Sequence, residues 1–554
     1  MQAWASKPLK FPDIDAAPKP NQAKTLVHIV DLEQVFLAPD RDTVYATVSV
    51  DGHRETWPVR SRGFKRWITR KFFAIEEKPP GSQALQDALG TIEARAQSLT
   101  TTYPVHVRVA EHDRDIYIDL GDASWSAVRV TAEGWTVVTD PPVKFRRAKG
   151  MQALPYPKAG GSLDELRRFV NVHDDMFELL LAWLVAAVRP RGPYPVLVLG
   201  GEHGSAKSTT TKVLRKLIDP NSSELRSQPR GERDLMIAAT NASIIAYDNV
   251  SALPQWLSDT LCRLATGGGF GTRQLYTDDD EIIFEAQRPV IVNGIEEIVV
   301  RPDLLDRAIL VNLPVINEET RRTEQDFWAD FNAAHSRLFG ALLDRAGSAL
   351  RNIDSMRLAR KPRMADFALW AAAALPDSAE AFLTAYDGNR SQAHELVLDA
   401  APVAAMVREL AERDGWSGTA TELLKELEAE AADATKRLKE WPGTGRALTG
   451  ALKRIAPNLR AVGVDVLFHD DRKLGSRRRQ ITVQKRTGFD RSNRSDRSRL
   501  GLTAHPTVPE PFPADPPRFP TVSETARQNG WNGGNDENPT SSKPEAAAGS
   551  WGDE

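Results

Sequence analysis

The chain has 554 residues, which is enough for several domains of roughly 100–200 residues each. Its 72 Lys and Arg residues nearly balance 75 Asp and Glu residues, so a net charge of −3 excludes a polycation. Any nucleic-acid surface must therefore come from local clusters of charge. The single cysteine, Cys262, excludes an internal disulfide, and a lone thiol makes no zinc site.

The N-terminal residues 1–24 are polar and proline-rich, without the apolar segment of a signal peptide. We expect them to form a flexible leader. The longest apolar run, Phe177 to Val188, is too short to span a bilayer. These two features predict a cytoplasmic protein with no membrane partner.

Residues 25–145 are predicted to form an α+β N-terminal domain. Alternating apolar residues predict strands at Leu26–Val30 and Thr43–Val50, and further short strands between Val105 and Val138. Two helices are predicted between these groups, at Phe64–Phe73 and Ser82–Ser98.

Basic and aromatic residues alternate between Arg54 and Lys71, a pattern that favours nucleic-acid binding. However, Phe64, Trp67 and Ile68 have the spacing with which a helix packs on a core, and this alternative stays open.

Residues 146–320 are predicted to form a helical lead-in and a P-loop ATPase domain. The lead-in starts with a capping-box pattern, in which Ser162 is the N-cap and Glu165 the third helical residue. Further on, the apolar strand Tyr194–Leu199 runs directly into a glycine-rich loop, and Ser208–Ile218 has helical spacing. A strand, a glycine-rich loop and a helix form the context that a phosphate-binding loop requires.

The loop matches the pattern G-x-x-x-x-G-K-[ST] at Gly201, Lys207 and Ser208, with Ala206 in place of the second glycine. Backbone N–H groups bind the phosphates, and alanine retains this donor. Lys207 is predicted to reach the β- and γ-phosphates, and the Ser208 hydroxyl to ligate Mg²⁺. A plain glycine-rich turn is the alternative. The predicted ATP-binding residues are Gly201, Glu202, His203, Gly204, Ser205, Ala206, Lys207, Ser208 and Thr209.

A second apolar run, Ala242–Tyr247, ends in Asp248. We expect this carboxylate to join Ser208 around Mg²⁺ at the carboxyl edge of the sheet, although an ordinary core strand followed by a turn would look similar. Asn249 follows where many ATPases place the acid that activates water. Asparagine can orient a water but cannot take its proton, so either the base is unassigned or hydrolysis is slow.

A third apolar strand ends in Asn293, which is predicted to orient the attacking water or contact the γ-phosphate. An Asn-Gly turn is the alternative. An arginine is predicted to cross a subunit boundary and stabilise the charge of the transition state, with Arg307 as the first choice and Arg301 as the second. The alternative is a surface salt bridge with Asp303 or Asp306.

In this order, the residues resemble the AAA+ ATPases of superfamily-three helicases, in particular the helicase part of poxvirus-type primase-helicases of phages and mobile elements. Residues 265–276 carry much of the likeness, because a Thr-Gly-Gly segment is followed by a basic residue and Leu-Tyr. The likeness covers roughly 165–320. Residues 25–160 also look like the segment that precedes such ATPases in actinobacterial prophage proteins, which assigns this segment no activity.

The resemblance implies ATP and Mg²⁺ as cofactors and a homo-oligomeric ring whose subunits share each ATP site. It assigns Lys207 to Walker A, Asp248 to Walker B, Asn293 to the sensor position and Arg307 to the arginine finger. It also implies that the hairpin with Arg273 and Tyr276 contacts DNA in the channel, unless this hairpin is merely solvated. The sequence departs from the family at Ala206 and Asn249. No primase motif is visible, so a primase or other replication protein is expected as a separate partner.

Residues 321–414 are predicted to form a helical region, and 415–486 a winged-helix-like domain. In the latter, the helices Thr419–Ala434 and Gly445–Ile455 precede two strands, Val464–Phe468 and Arg479–Val483. A protein-binding winged helix with a solvated wing stays open. Residues 487–554 are predicted to be a disordered tail. The residues expected to contact DNA at the wing are Arg472, Lys473, Arg477 and Arg478, with Arg446, Lys453 and Arg454 along the second helix.

The predicted fold class is therefore multidomain, with a central α/β P-loop (AAA+-like) domain. The predicted function is an ATP-dependent DNA helicase or translocase that acts on single-stranded or forked DNA in replication of a phage, plasmid or integrated element. The alternative is an ATP-dependent DNA-binding initiator or regulatory switch with slow hydrolysis. A small-molecule kinase is disfavoured, because the Asn293 and Arg307 segments would have no role in it.

Overall fold

The computed structural model of the protein describes residues 21–273, 281–294, 299, 301–470 and 479–486. Most of the predicted leader and the whole predicted tail lie outside these residues. No helix in the described ranges is long and apolar enough to cross a membrane.

The N-terminal region begins with a three-helix, three-stranded unit. Its sheet is antiparallel in the order β1-β2-β3. The elements are α1 (Gln22–Val30), β1 (Gln34–Leu37), β2 (Val44–Val50), β3 (His53–Pro58), α2 (Arg62–Glu76) and α3 (Ser82–Ala96).

The strand predicted at Leu26–Val30 is wrong, because these residues belong to α1. The Asn21 side chain caps this helix by accepting the N–H of Ala23, and Leu26 and Val30, one turn apart, are buried. In α2 the residues Phe64, Trp67, Ile68 and Phe72 are buried. Their burial favours the core alternative over the nucleic-acid hypothesis for the basic and aromatic stretch.

A second N-terminal sheet is an antiparallel meander in the order β5-β6-β7-β8, beside a short parallel pair of β4 with β9. Its inner residues, such as Ile118 and Val128, share one continuous apolar core with the central domain. The strands are β4 (Val105–His106), β5 (Val109–His112), β6 (Asp115–Asp119), β7 (Ala127–Val130), β8 (Trp135–Val138) and β9 (Lys144–Phe145).

The central domain contains a four-stranded sheet in the order β11-β14-β10-β15, with every neighbouring pair parallel. Its elements are α4 (Asp174–Ala187), β10 (Val196–Gly200), α5 (Lys207–Ile218), α6 (Glu232–Asn241), β11 (Ile245–Tyr247), α7 (Gln255–Thr266), β12 (Gly268–Arg273), β13 (Glu281–Ala286), β14 (Val290–Asn293), α8 (Pro302–Leu305) and β15 (Ala308–Asn312).

The strands β12 and β13 pair with each other as an antiparallel hairpin, separate from the parallel sheet. The connecting residues 274–280 lie outside the described part of the chain. Before α4, the predicted capping box is instead a 3-10 helix, Leu163–Arg168, in which Ser162 accepts the N–H of Asp164 rather than that of Glu165.

The helical region contains α9 (Glu324–Asn352), α10 (Ala365–Ala374) and α11 (Ala379–Asp399), with short 3-10 helices at Glu318–Thr320 and Pro376–Ser378. These helices pack with α4. The Trp370 indole donates a 3.0 Å hydrogen bond to the carbonyl of Val185 at their contact.

The C-terminal part has the order helix, strand, three helices, strand, strand, and its antiparallel sheet has the order β16-β18-β17. Sequence reasoning missed the short β16. The elements are α12 (Ala404–Glu412), β16 (Trp416–Thr419), α13 (Ala420–Glu430), α14 (Asp433–Lys436), α15 (Gly445–Ala461), β17 (Val464–Asp470) and β18 (Arg479–Lys485).

Candidate nucleotide site

The loop between β10 and α5 has a backbone that strongly limits side chains. Gly201 and Gly204 have φ angles of 146° and 78°, and a Cβ atom on Gly201 would lie 2.6 Å from the carbonyl oxygen of Leu313. Ala206 is also left-handed, with φ 62°. This conformation costs an L-residue about 1–2 kcal/mol, which explains why the pattern usually has glycine there.

Lys207 begins α5 and turns its ammonium group into the loop. Its Nζ donates 2.7 Å hydrogen bonds to the carbonyls of Gly201 and Glu202, and a 3.3 Å bond to the Ser205 hydroxyl. Partial burial lowers the pKa of Lys207, and the negative charge of Asp248 opposes this shift. To bind a phosphate, the Lys207 ammonium group would have to exchange these hydrogen bonds to loop carbonyls for bonds to phosphate oxygens.

Ser208 and Asp248 come together from two different segments. The Ser208 hydroxyl on α5 donates a 2.7 Å hydrogen bond to Oδ1 of Asp248, which directly follows β11. Neighbouring ligands of an octahedral Mg²⁺ ion are about 2.9 Å apart, so this oxygen pair suits one edge of its coordination shell. The described residues contain no cluster of three metal-binding His, Cys, Asp or Glu side chains.

Asn293 is buried at the end of β14, between the strands that lead to the loop and to Asp248. Its Oδ1 accepts the backbone N–H of Asn249 at 2.9 Å, and its Nδ2 donates to the Thr211 hydroxyl at 2.8 Å. Protein groups thus engage both amide atoms. The predicted contact with water or the γ-phosphate would require release of one of them.

Asn249 itself is exposed and left-handed, with φ 54°, a conformation that asparagine tolerates better than most residues. The residue after Asp248 is thus an amide, and the question of the catalytic base stays as the sequence left it.

Two residues near the loop escaped sequence analysis. The Asn171 amide, just before α4, donates to the carbonyls of Ser205 and Pro314 and so ties the loop to the chain after β15. The guanidinium of Arg321 lies beside the loop, since a Cβ atom on Gly204 would be 3.4 Å from its Nη2. Both approach from distant parts of the sequence, and no local pattern marks either residue.

Arg307 lies at the opposite edge of the sheet from the loop. It precedes β15, whose Ala308 pairs with Val196 and whose Asn312 pairs with Gly200, a span of about 13 Å along the strand. Its Nη1 donates to the carbonyl oxygen of Asp303 at 2.6 Å. The chain therefore does not bring Arg307 to its own loop.

The second choice for the arginine finger, Arg301, forms an ion pair with Asp259 at 2.9 Å. Asp306 pairs with Arg363 at 2.8 Å. Neither arginine thus forms the carboxylate pair that the sequence-based alternative proposed.

The predicted DNA contacts fall largely outside the described residues. Arg273 ends β12, but only its backbone is described. The positions Tyr276, Arg472, Lys473, Arg477 and Arg478 lie outside the described ranges.

Comparison with known families matches two adjoining parts of the chain. A family model of the actinomycete integrative conjugative element replication protein matches residues 163–399. The model of the C-terminal domain of the same replication protein matches residues 403–497. Both matches indicate a replication protein of a mobile element. The first contains the whole candidate site, and the second begins one residue before α12.

Solved structures with similar chains include two apo structures of the NrS-1 C-terminal region. The A form has 13% identity and a TM-score of 0.38, and covers 84% of this chain and 98% of its own. The other has 14% identity and a TM-score of 0.35, with coverages of 84% and 99%. Values this low carry no inference. No curated protein matches the chain.

Proposed function

We propose that the protein is an ATPase that binds ATP and Mg²⁺ at residues 201–209 and moves along DNA as a helicase or translocase when its mobile element replicates. The observation that carries this proposal is the 2.7 Å bond between Ser208 and Asp248, next to the Lys207 ammonium and at the carboxyl edge of a parallel sheet. Phosphates bind preferentially at this kind of edge, before a helix N-terminus.

In this proposal, the backbone N–H groups of the loop bind the phosphates, and Lys207 transfers its hydrogen bonds from loop carbonyls to phosphate oxygens. Ser208 and Asp248 hold the Mg²⁺ ion, which neutralises phosphate charge when bound. The loop approaches the phosphates closely because Gly201 and Gly204 lack side chains.

A homo-oligomeric ring completes the proposed site. Arg307, distant from its own loop, would reach the loop of a neighbouring subunit and stabilise negative charge there. A primase would be a separate protein.

The second candidate function is an ATP-dependent DNA-binding initiator or switch with slow hydrolysis. Asn249 favours it, because an exposed amide after Asp248 cannot accept the proton of an attacking water. The C-terminal order of helices and strands, which resembles a winged helix, suits either function.

Strand displacement on a forked DNA separates the two functions. The helicase proposal predicts ATP-dependent unwinding by the wild type and none by Lys207→Ala. Specific duplex binding without unwinding, at any ATP concentration, would instead support the switch.

A further inference from the structure

The helix α15 has an unusual distribution of charge. None of its residues is Asp or Glu, whereas it carries Arg446, Lys453, Arg454 and Arg460. All four are exposed. The neighbouring helix α13 is mainly acidic, with Glu422, Glu426, Glu428 and Glu430 against the single base Lys425.

The basic residues occupy one side of α15. At 100° per residue, Arg446, Lys453 and Arg454 lie within about 100° of one another. The opposite side is buried in the C-terminal core through Leu448, Leu452, Ile455 and Leu459. The fold therefore uses one side of α15 for packing and leaves the basic side open.

Three of these four charges lack an acidic partner among the residues that the structure describes. Among the described residues, Arg446, Lys453 and Arg454 form no ion pair, while Arg460 pairs with Asp465 at 3.4 Å. Lys453 lies over the ring of Phe468, with its Nζ 5.4 Å from the ring centroid. Stabilising surface charges on a helix usually meet an acid one turn away, and α15 has no such acid.

The chemistry of this side favours a polyanion. It has no large exposed apolar residue, which a protein interface would place at its centre. It also has no exposed aromatic ring on which a single-stranded base would stack. Gly450 adds no bulk, so a duplex can approach the helix backbone closely.

We propose that the basic side of α15 binds duplex DNA, with the helix in the major groove and Arg446, Lys453 and Arg454 on phosphates or base edges. The groove is about 12 Å wide and admits a helix. The helices α13 and α15 pack on each other, as the two helices of a helix-turn-helix do, although α14 lies between them in the chain. In that motif the second helix enters the groove. This site is separate from the nucleotide site and does not require ATP.

The test is fluorescence anisotropy of the full-length protein with a labelled duplex from the element, over a range of salt concentrations. The variant Arg446→Ala, Lys453→Ala, Arg454→Ala should weaken binding at least about tenfold and reduce the salt slope of log K by about 3. The control Arg357→Ala, Arg360→Ala, Lys361→Ala removes the same charge from the segment before α10 and should leave both values unchanged.

A charge-preserving variant, Arg446→Lys, Lys453→Arg, Arg454→Lys, should keep the salt slope. The proposal would be overturned if the triple-alanine variant of α15 bound the duplex with wild-type affinity and had an unchanged thermal unfolding profile. An equal loss in both triple-alanine variants would also overturn it, because net charge alone would then explain the loss. Binding is measured without ATP, so the result stands apart from the proposed ATPase.

A second inference concerns Asn293, and it rests on the proposed ATP and Mg²⁺ site. Three hydrogen bonds form a relay: Asn249 N–H donates to Asn293, Asn293 donates to Thr211, and the Thr211 hydroxyl donates to the carbonyl of Lys207 at 2.9 Å. Asn249 follows Asp248, and Lys207 precedes Ser208. The relay thus joins the chain neighbours of the two proposed Mg²⁺ ligands.

We infer that Asn293 is a positioning residue, which fixes the distance between Asp248 and Ser208 through Thr211. Thr211 is fully buried, so Thr211→Val removes its hydroxyl with little change of shape. ATP turnover measured against Mg²⁺ concentration should show a several-fold higher half-saturating Mg²⁺ for Thr211→Val and for Asn293→Ala. The double variant should add little, because both changes break one relay.

Thr211→Ser keeps the hydroxyl and should restore the wild-type Mg²⁺ dependence. A loss of turnover in Asn293→Ala alone, with Thr211→Val unchanged, would overturn the inference and indicate a direct contact with water or phosphate. If Lys207→Ala and Asp248→Ala also retain wild-type turnover, the proposed ATP site fails, which is a distinct result.

Discussion

Arg108 and Asp219 form a buried ion pair between the N-terminal meander and the central domain, with Nε and Oδ1 3.2 Å apart. Their side chains are 0% and 1% exposed. Asp219 directly follows α5, and its other oxygen accepts the backbone N–H groups of Ser243 and Ile244, just before β11. The pair therefore ties the N-terminal region to both chain segments that carry the proposed Mg²⁺ ligands.

Removal of Arg108 should be costly, because Asp219 would stay buried without its cationic partner. We expect Arg108→Met to lower the free energy of unfolding by about 3–5 kcal/mol. Urea unfolding measures this. Arg114→Met is the control, since its pair with Asp354 is largely exposed and should contribute little. Equal stability of Arg108→Met and Arg114→Met would contradict this role.

Replacement of Ala206 by glycine should stabilise the fold. Its left-handed backbone strains a residue with a Cβ atom, so Ala206→Gly should raise the free energy of unfolding by up to about 1 kcal/mol. Ala94→Gly, on an exposed position of α3, should lower it by about 1 kcal/mol. Thermal or urea unfolding of both variants checks the opposite signs, and a destabilised Ala206→Gly would show that the loop is not strained at this residue.

Loss of the Ser208 hydroxyl should weaken Mg²⁺ binding more than ATP binding. Ser208→Ala removes one of the two oxygens that lie 2.7 Å apart, while the loop N–H groups and Lys207 remain. We expect the affinity for ATP without Mg²⁺ to stay near the wild-type value. The increase in affinity that Mg²⁺ causes in the wild type should be lost. Calorimetric titration with and without Mg²⁺ measures both, and Ser208→Thr should behave like the wild type. A full Mg²⁺ effect in Ser208→Ala would exclude it as a ligand.

Arg307 should act only on a neighbouring subunit. Arg307→Ala and Lys207→Ala should each lose ATP turnover by a factor of at least about 10³. A mixture of the two should partly recover it, because some interfaces then combine an intact loop with an intact arginine. The control is each variant mixed with itself. Failure of the mixture to recover activity, although both variants assemble, would argue against a shared site.

The proximity of Ser208 and Asp248 could be predicted from the sequence, because each follows a recognisable pattern. An apolar strand before Lys207 and Ser208, and another before Asp248, predict parallel strands whose carboxyl ends meet, and the structure brings these residues together. The pairing of Asn293 with Thr211 was not predictable, because it depends on which strand lies between the other two. Asn171, Arg321 and Arg108 act through contacts across long stretches of sequence, which no local pattern encodes.

The run Leu26–Val30 shows a different limit. A short apolar segment is compatible with a strand or a helix, and the choice depends here on the cap at Asn21 and on burial of Leu26 and Val30 one turn apart. Tertiary packing, rather than local pattern, decides such segments.

ATP turnover with and without single-stranded DNA tests the central claim most directly, by comparing the wild type with Lys207→Ala and Asp248→Ala. The account predicts that DNA stimulates turnover by the wild type, and that both variants lose turnover while they unfold at wild-type urea concentrations. Wild-type turnover by Lys207→Ala, or no turnover by the wild type with any DNA, would contradict it.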